Sequence, residues 1–487
     1  IRDAMESIEK KLNIKVPIRQ LERLKADPKV QHCIETGKTL GCFYVESPAM
    51  RMLLKKLKAK TYPDLIAASS IIRPGVAKSG MMRAYIERFH QPDNVEYIHP
   101  DMKRLLKETF GIMVYQEDVI KVAHHFAGLS LAEADVLRRG MSGKFRSREE
   151  FAKIKARFFE CCEAKGHSFE IAEMVWKQME SFAGYSFSKA HSASYAAESF
   201  QSLYLKAHYP LEFIVAVINN FGGFYRTEIY LHEARLAGAH IERPSLEHSQ
   251  WLSHLEDKTI WLGFIHIKGI EEQTIQVLID ERKINGNFKN IADLKARTAI
   301  RPEQLDLLIR ADALRSWNQG WKSLLWQSAA LPKHQQGKQP LLFESPALPE
   351  VMPELHYGPK DRALQDLELF GFTVESLFAL APEPTEGCIP AHGFQHHLGR
   401  EIRAEGYLVT VKPTRTQQGE RMYFGTFIDR EGNAIDTVHF PPVASRFPFR
   451  GKGVYLLQGT ITEDFGVLQL EIQQMHLAIK NPVNHQG

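Results

Sequence analysis

The densest run of anion-binding side chains in the sequence is Ala134-Asp135-Val136-Leu137-Arg138-Arg139-Gly140-Met141-Ser142-Gly143-Lys144. Two adjacent guanidinium forks near an expected helix end, followed by small residues and an ammonium, can converge on one polyphosphate, because arginine offers planar bidentate contact and lysine a point charge. That set suits a triphosphate, and it equally suits a solvated basic face paired with Glu133 and Asp135. A second group, Ser181-Phe182-Ala183-Gly184-Tyr185-Ser186-Phe187-Ser188-Lys189-Ala190-His191-Ser192-Ala193-Ser194-Tyr195, alternates aromatics with small residues around Lys189 and His191. Such a loop can stack a base or sugar and hold a phosphate, or plug a core with hydroxyls that satisfy one another. Gly111-Ile112-Met113-Val114-Tyr115-Gln116-Glu117-Asp118 reads as a buried strand or turn that opens a helix with polar residues at its mouth. Cys388, His392, His396 and His397 spell a zinc-like set, but no second cysteine accompanies them and no metal site is assigned.

The elements that must position these groups change character along the chain. Residues 1–240 read as mostly helical, with helical apolar spacing at 149–159 and 199–217. Ile72-Arg73-Pro74-Gly75 breaks this pattern with a turn that carries an arginine. Between 241 and 331 a strand-like run at 260–264 is followed by Ile267-Lys268-Gly269-Ile270 and a helix from Glu272; a similar helix–turn–helix recurs at 301–314. Residues 332–385 begin with Pro332, Pro340, Pro346, Pro349, Pro353 and Pro359, an extended linker that ends in a short helix. After Pro390 the period becomes two: 406–412, 422–428, 434–440, 453–461 and 467–475 alternate apolar with polar residues. Short antiparallel strands in so few residues predict a small closed barrel of the OB-fold type.

At roughly 100 to 200 residues per domain, 487 residues form about three or four domains. The hydrophobic share of 44% and charged share of 25% exclude wholesale disorder. No stretch reaches the roughly 20 apolar residues of a membrane span. Five cysteines, with Cys161 and Cys162 adjacent, argue against a disulfide framework and for a reducing cytoplasm. A net charge of +4 gives no bulk argument for nucleic acid, so clusters must carry it. The opening Ile1-Arg2-Asp3-Ala4-Met5 does not read as a signal or transit sequence, and the chain reads as part of something longer.

Gly41-Cys42-Phe43-Tyr44-Val45-Glu46-Ser47, Arg73-Pro74-Gly75, residues 111–117, Leu137-Arg138-Arg139, residues 182–195 and Lys206-Ala207-His208-Tyr209-Pro210-Leu211-Glu212-Phe213 together resemble the alpha subunit of bacterial DNA polymerase III. The motifs fall in the family's order over one continuous region. The resemblance implies a multidomain fold: a remnant of the palm and its connection at 1–45, mainly α fingers at 46–240, and an α helix-hairpin-helix clamp-binding domain at 241–331. A linker with a clamp-binding peptide at 332–385 and a C-terminal all-β OB-fold barrel at 386–487 would follow.

It further implies a DNA-directed DNA polymerase, a nucleotidyltransferase of replicative type, as the parent protein. Its partners would be incoming dNTP, primer-template DNA, the sliding clamp and other replicase subunits. Arg138, Arg139, Lys144, Lys189 and His191 would hold the nucleotide. Arg73, a basic stripe with Lys55 and Lys56 followed by Lys58 and Lys60, and Lys268 would contact DNA, while Tyr407 and Tyr423 would stack single-stranded template. Gln339, Leu342 and Phe343 of Gln339-Pro340-Leu341-Leu342-Phe343 match the clamp peptide Q-x-x-L-F.

This chain also departs from the family. Such polymerases hold two Mg2+ ions on palm carboxylates that include an Asp-x-Asp pair. No Asp-x-Asp occurs here; Glu133-Ala134-Asp135, Asp366-Leu367-Glu368 and Asp429-Arg430-Glu431 are the nearest approximations. No catalytic residue is therefore assigned, and the chain alone is expected to be inactive, with the palm and a PHP domain upstream. Glu271 stands where a phosphate-binding hairpin wants its second glycine, and Asp312 where the second hairpin wants one. The alternative reading is a non-catalytic DNA- and clamp-binding module.

Overall fold

Local sequence signals place the helices of the region 16–208. Asp27 accepts from the N–H groups of Lys29 and Val30 and starts the helix Pro28–Glu35; Ser47 caps Pro48–Leu57. Thr61 and Asp64 form a reciprocal capping box on Tyr62–Ile71, and all three helices carry proline in the first turn. The computed structural model describes residues 1–72, 80–140, 148–181, 188–330, 358–381, 383–416 and 418–480. Two compact units result, one formed by 16–208 with 463–467, the other by 1–15, 209–462 and 468–487.

The first unit is built around the helix Lys189–His208, whose small residues let other backbone elements approach closely. Ser192 lies fully buried, with its Oγ 2.8 Å from that of Ser70 on Tyr62–Ile71. Lys206 is buried near the other end, where its ammonium donates to the carbonyl of Leu40 at 2.8 Å. The helical spacing expected over 199–217 does not form one rod. Lys189–His208 ends before Tyr209, and Pro210, which lacks an N–H, starts the separate helix Pro210–Asn219. Arg148–Ala164 and Phe169–Ser181 turn back on one another through Gly166 (φ 79°), burying Phe158 against Trp176 with ring centroids 5.1 Å apart.

In the second unit, β1 (His240–Glu242), β2 (His254–Glu256) and β3 (Thr259–Trp261) form a sheet in the order β1-β3-β2. Of the strand-like run at 260–264 only Ile260 and Trp261 lie in a strand, because Phe264–His266 turns into a 3-10 segment. Helices Glu272–Asn285, Ile291–Thr298, Pro302–Arg310 and Trp321–Ala330 follow, and Pro359–Leu369 comes after residues 331–357.

The C-terminal strands β4 (Glu401–Arg415), β5 (Arg421–Ile428), β6 (Ala434–His439), β7 (Gly453–Asp464) and β8 (Val467–Lys480) close into a barrel in the order β4-β5-β6-β8-β7. β6 pairs in parallel with β8 through Thr437↔Leu470, and the helix Pro441–Arg446 connects β6 to β7. This is OB-fold topology, as the period-two alternation predicts. Phe427, Tyr455, Leu457 and Leu470, each at most 1% exposed, fill the interior. Gly459 is required by close packing, since a Cβ there would strike the backbone carbonyl of Glu471. The expected multidomain arrangement of mainly helical fingers, helical hairpin region and all-β barrel is present.

Candidate functional site

Gln116 and Glu117 open the helix Gln116–Lys121, whose first turn is fixed by Asp118. The buried Asp118 carboxylate accepts from the N–H groups of Val114 and Tyr115, both at 3.0 Å; burial pushes its pKa up and these two bonds oppose the shift. Gln116 Oε1 accepts from Arg138 at 3.0 Å. The neighbouring Glu117 accepts from the Ser188 hydroxyl at 2.9 Å and from the N–H of Lys189 at 2.9 and 3.1 Å, so it caps the helix Lys189–His208. Two consecutive residues thus bring the arginine run and the lysine–histidine run to one place, although neither sequence motif names the other.

The cations at this place are held by carboxylates. Asp135 accepts from Arg138 at 2.9 Å and from Arg139 at 3.0 Å, and Glu108 accepts from the Lys189 ammonium at 2.6 and 2.7 Å. The side chains of Arg139 and Glu108 are more than half exposed. Lys189 also lies 5.3 Å from the centre of the Tyr115 ring. His191 packs on Tyr195 with ring centroids 4.1 Å apart, and Tyr195 meets Phe43 at 5.3 Å and Tyr44 at 4.8 Å. Tyr44 sits at φ 67°, a costly conformation for a bulky side chain. Sequence reasoning assigned no role to Gln116, Glu117, Glu108, Phe43 or Tyr44. The polar residues at the mouth of 111–118 were the available signal. Lys144, Arg73, Gln339, Leu342 and Phe343 lie outside the described residues.

Several candidates are buried or already have partners within the fold. Lys55 and Lys56 lie on the helix Pro48–Leu57, where adjacent residues point about 100° apart and share no stripe. Lys56 is 9% exposed, and its ammonium is held by Asp464 at 2.6 Å. Lys60 pairs with Glu35 at 3.0 Å. Tyr407 is 3% exposed and offers no open ring face. Tyr423 shares its side of β5 with the core residue Phe427 and packs edge-on against Phe449 at 5.7 Å. The exposed aromatics of this region are Phe424 and Phe440, at 38% and 40%. Phe424 pairs with Val438 across β5 and β6, so Phe440 stands diagonally beside it on the same face. Lys268 belongs to a turn whose N–H donates at 2.8 Å to the carbonyl of Leu369.

Two magnesium ions need convergent carboxylates, and the described residues do not fit them. Glu133 caps Leu131–Arg139 through Ser130; Asp366 is bound by Arg243; Asp429 accepts from the N–H groups of Ala391, Glu431 and Asn433. Among the described residues no group of three histidine, cysteine, aspartate or glutamate side chains is placed to hold a metal ion. At the zinc-like set, His392 bonds Glu431 at 2.6 Å, and burial raises the pKa of the Cys388 thiol. No helix among the described residues is long and apolar enough to cross a membrane.

Comparison with known proteins agrees with this organisation. Residues 1–166 match the bacterial DNA polymerase III alpha subunit finger domain, and residues 238–324 match a helix-hairpin-helix motif. A DNA polymerase III subunit alpha of Aquifex aeolicus is 35% identical over 64% of this chain and 27% of its own length. One from Staphylococcus epidermidis is 29% identical over 98% of this chain and 45% of its own length. One from Staphylococcus aureus is 34% identical over 63% and 28%. The chain spans less than half the length of these relatives. In its finger helices, helix-hairpin-helix region and OB-type barrel, the chain is similar to bacterial DNA polymerase III alpha subunits.

Proposed function

We propose that this chain is the nucleotide- and DNA-holding part of a replicative, template-directed DNA polymerase that works with a sliding clamp and other replicase subunits in the cytoplasm. The observation that carries this reading is the convergence of Arg138 and Lys189 on adjacent Gln116 and Glu117. The exposed pairs to Asp135 and Glu108 are worth at most about 1 kcal/mol each, so a triphosphate can displace those carboxylates with little loss. Arg138 and Arg139 then take phosphate oxygens through forked contacts, Lys189 adds a point charge, and the His191–Tyr195–Phe43–Tyr44 rings face the sugar or base. Arg73 and Lys144 complete the DNA and nucleotide contacts. The carboxylates that would hold the magnesium ions of such a polymerase are not among the described residues.

The barrel holds single-stranded template by stacking on Phe424 and Phe440, on the face of β5 opposite to Tyr423. Gln339, Leu342 and Phe343 engage the clamp. The test is titration of the purified chain with deoxynucleoside triphosphates, followed by NMR of methyl or aromatic signals around residues 111–118 and 188–195. Saturable binding that prefers triphosphate to monophosphate supports the reading. Absence of binding at millimolar nucleotide, with duplex and clamp binding intact, overturns it in favour of a non-catalytic DNA- and clamp-binding module.

A further inference from the structure

The two hairpin turns of the helical region centre on Gly269 and Asp312, both in the left-handed conformation with φ of 80° and 60°. A turn that holds a nucleic-acid phosphate needs free backbone N–H groups and room for an anion. Groups of this chain already occupy both turns. At the first, the N–H of Lys268 donates to Leu369 O at 2.8 Å, and its ammonium reaches Glu368 O at 3.3 Å. The N–H of Glu271 donates to Gln304 Oε1 at 2.9 Å, while Gln304 Nε2 donates back to Gly269 O at 3.1 Å. The Glu271 carboxylate itself pairs with Arg301. At the second turn, the Asp312 carboxylate accepts from Arg362 at 3.1 Å, and Arg310 pairs with Glu368 at 2.5 Å.

Arg362, Glu368 and Leu369 all belong to the helix Pro359–Leu369, which lies beyond the residues 238–324 that match the helix-hairpin-helix motif. That helix touches both turns at once. It is also buried there: Leu367 is 2% exposed, Leu369 3% and Asp366 2%. We propose that the two hairpin turns form a socket for the chain's own Pro359–Leu369 helix, and that they seat the segment leading to the barrel instead of a duplex phosphate. One consequence concerns the proline-rich region. Trp321–Ala330, which precedes residues 331–357, and Pro359–Leu369, which follows them, both pack on Pro302–Arg310, so the two flanking helices belong to one body.

Hydrogen exchange on the whole chain, with and without duplex DNA, tests the proposal. The amides of Lys268 and Glu271 should be protected without DNA and unchanged by it. Asp366→Asn should speed exchange in the turns and in Pro359–Leu369 together; Glu368→Gln, at an exposed side chain, serves the same purpose where the first variant does not fold. In parallel, Lys268→Gln should leave duplex affinity and its salt dependence unchanged. Turn amides that exchange freely and gain protection only with duplex would overturn the proposal. So would a several-fold loss of affinity in Lys268→Gln with the slope of log K against log salt reduced by about one.

Discussion

Arg243 grips Asp366 through two near-parallel bonds, Nε–H to Oδ1 at 3.1 Å and Nη2–H to Oδ2 at 2.9 Å, with the two side chains 14% and 3% exposed. Asp366 Oδ2 also accepts from the N–H of Val374 at 3.0 Å, and Arg243 reaches Glu375 at 3.1 Å. Burial pushes the Asp366 carboxyl upward, and Arg243 opposes that shift. Breaking a buried pair from one side leaves a charge without its partner, which costs about 3 to 5 kcal/mol. Asp366→Asn and Arg243→Met should each lower the urea midpoint of the second unit by a corresponding amount. The double variant should lose clearly less than the sum; additive losses in a double-mutant cycle would mean that the two side chains are not coupled.

Acid should destabilise the same unit through two histidines. His439 is fully buried, with Nε2 2.8 Å from Thr437 Oγ1, and burial pushes its pKa down to about 4. His266, 5% exposed and 3.0 Å from Ser253 Oγ, is likewise lowered to about 4 by burial. An unfolded histidine titrates near 6.5, so between about 6.5 and 4 the unfolded chain binds protons that the folded chain refuses. Stability is therefore full above 6.5, falls as pH drops through this window and levels off below it, by about 2 kcal/mol per group at pH 5. Replacing either histidine with asparagine should flatten the pH dependence of the unfolding free energy by close to one proton. An unchanged slope would remove these residues as its cause.

How much of this was legible in the sequence depended on the range of the interaction. The barrel was readable because each strand carries its own period of two, and the OB-type closure follows from strand length and turn placement. That alternation assigns a side chain to a face but not what covers the face, which is why Tyr407 reads as a stacking ring and is 3% exposed. The cation groups of the candidate site were readable as donors. Their meeting through Gln116 and Glu117 was not, since Lys189 and Glu117 are 72 positions apart in the chain. Lys56 illustrates a charge whose spacing resembles a solvated run and whose partner, Asp464, is 408 positions away. The Asp366-Leu367-Glu368 helix was expected as part of the linker, because nothing local to it announces Arg243, Lys268 or Arg310.

Arg138→Ala and Arg139→Ala, made in a polymerase that carries this segment, should raise the KM for dNTP while primer-template affinity stays unchanged. A charge-assisted contact is worth about 1.5 to 3 kcal/mol, or one to two powers of ten. Glu117→Gln should act through position instead of charge, moving Ser188 and the start of Lys189–His208, and so should lower kcat more than it raises KM. Steady-state kinetics at saturating primer-template separates these outcomes. Unchanged nucleotide kinetics in both arginine variants would return them to a solvated face.

Single-stranded binding should depend on Phe424 and Phe440 more than on Tyr407. Loss of one base–aromatic stack costs about 1 to 3 kcal/mol. Fluorescence anisotropy with an oligothymidylate should show the Phe424→Ala, Phe440→Ala double variant weakened at least tenfold, with the circular dichroism of the barrel retained. Binding equal to that of the parent chain would exclude this face as the stacking surface.

The clamp peptide can be tested without any catalytic metal. Burying Leu342 and Phe343 in a partner pocket gains about 1.5 to 3 kcal/mol for each side chain before ordering costs, so a free peptide of this length should bind nearer micromolar than nanomolar. In the chain, the flanking helices Trp321–Ala330 and Pro359–Leu369 both pack on Pro302–Arg310, so part of the ordering cost is met by holding the two flanks. The intact chain should therefore capture a bacterial sliding clamp more tightly than the isolated peptide. On DNA, where clamp and polymerase share one strand, the raised local concentration should strengthen capture further without a new contact. Leu342→Ala with Phe343→Ala should abolish capture measured by surface plasmon resonance and leave thermal unfolding and duplex affinity unchanged. A double variant that still holds the clamp as firmly as the parent chain would reduce Gln339 to Phe343 to an ordinary stretch of linker.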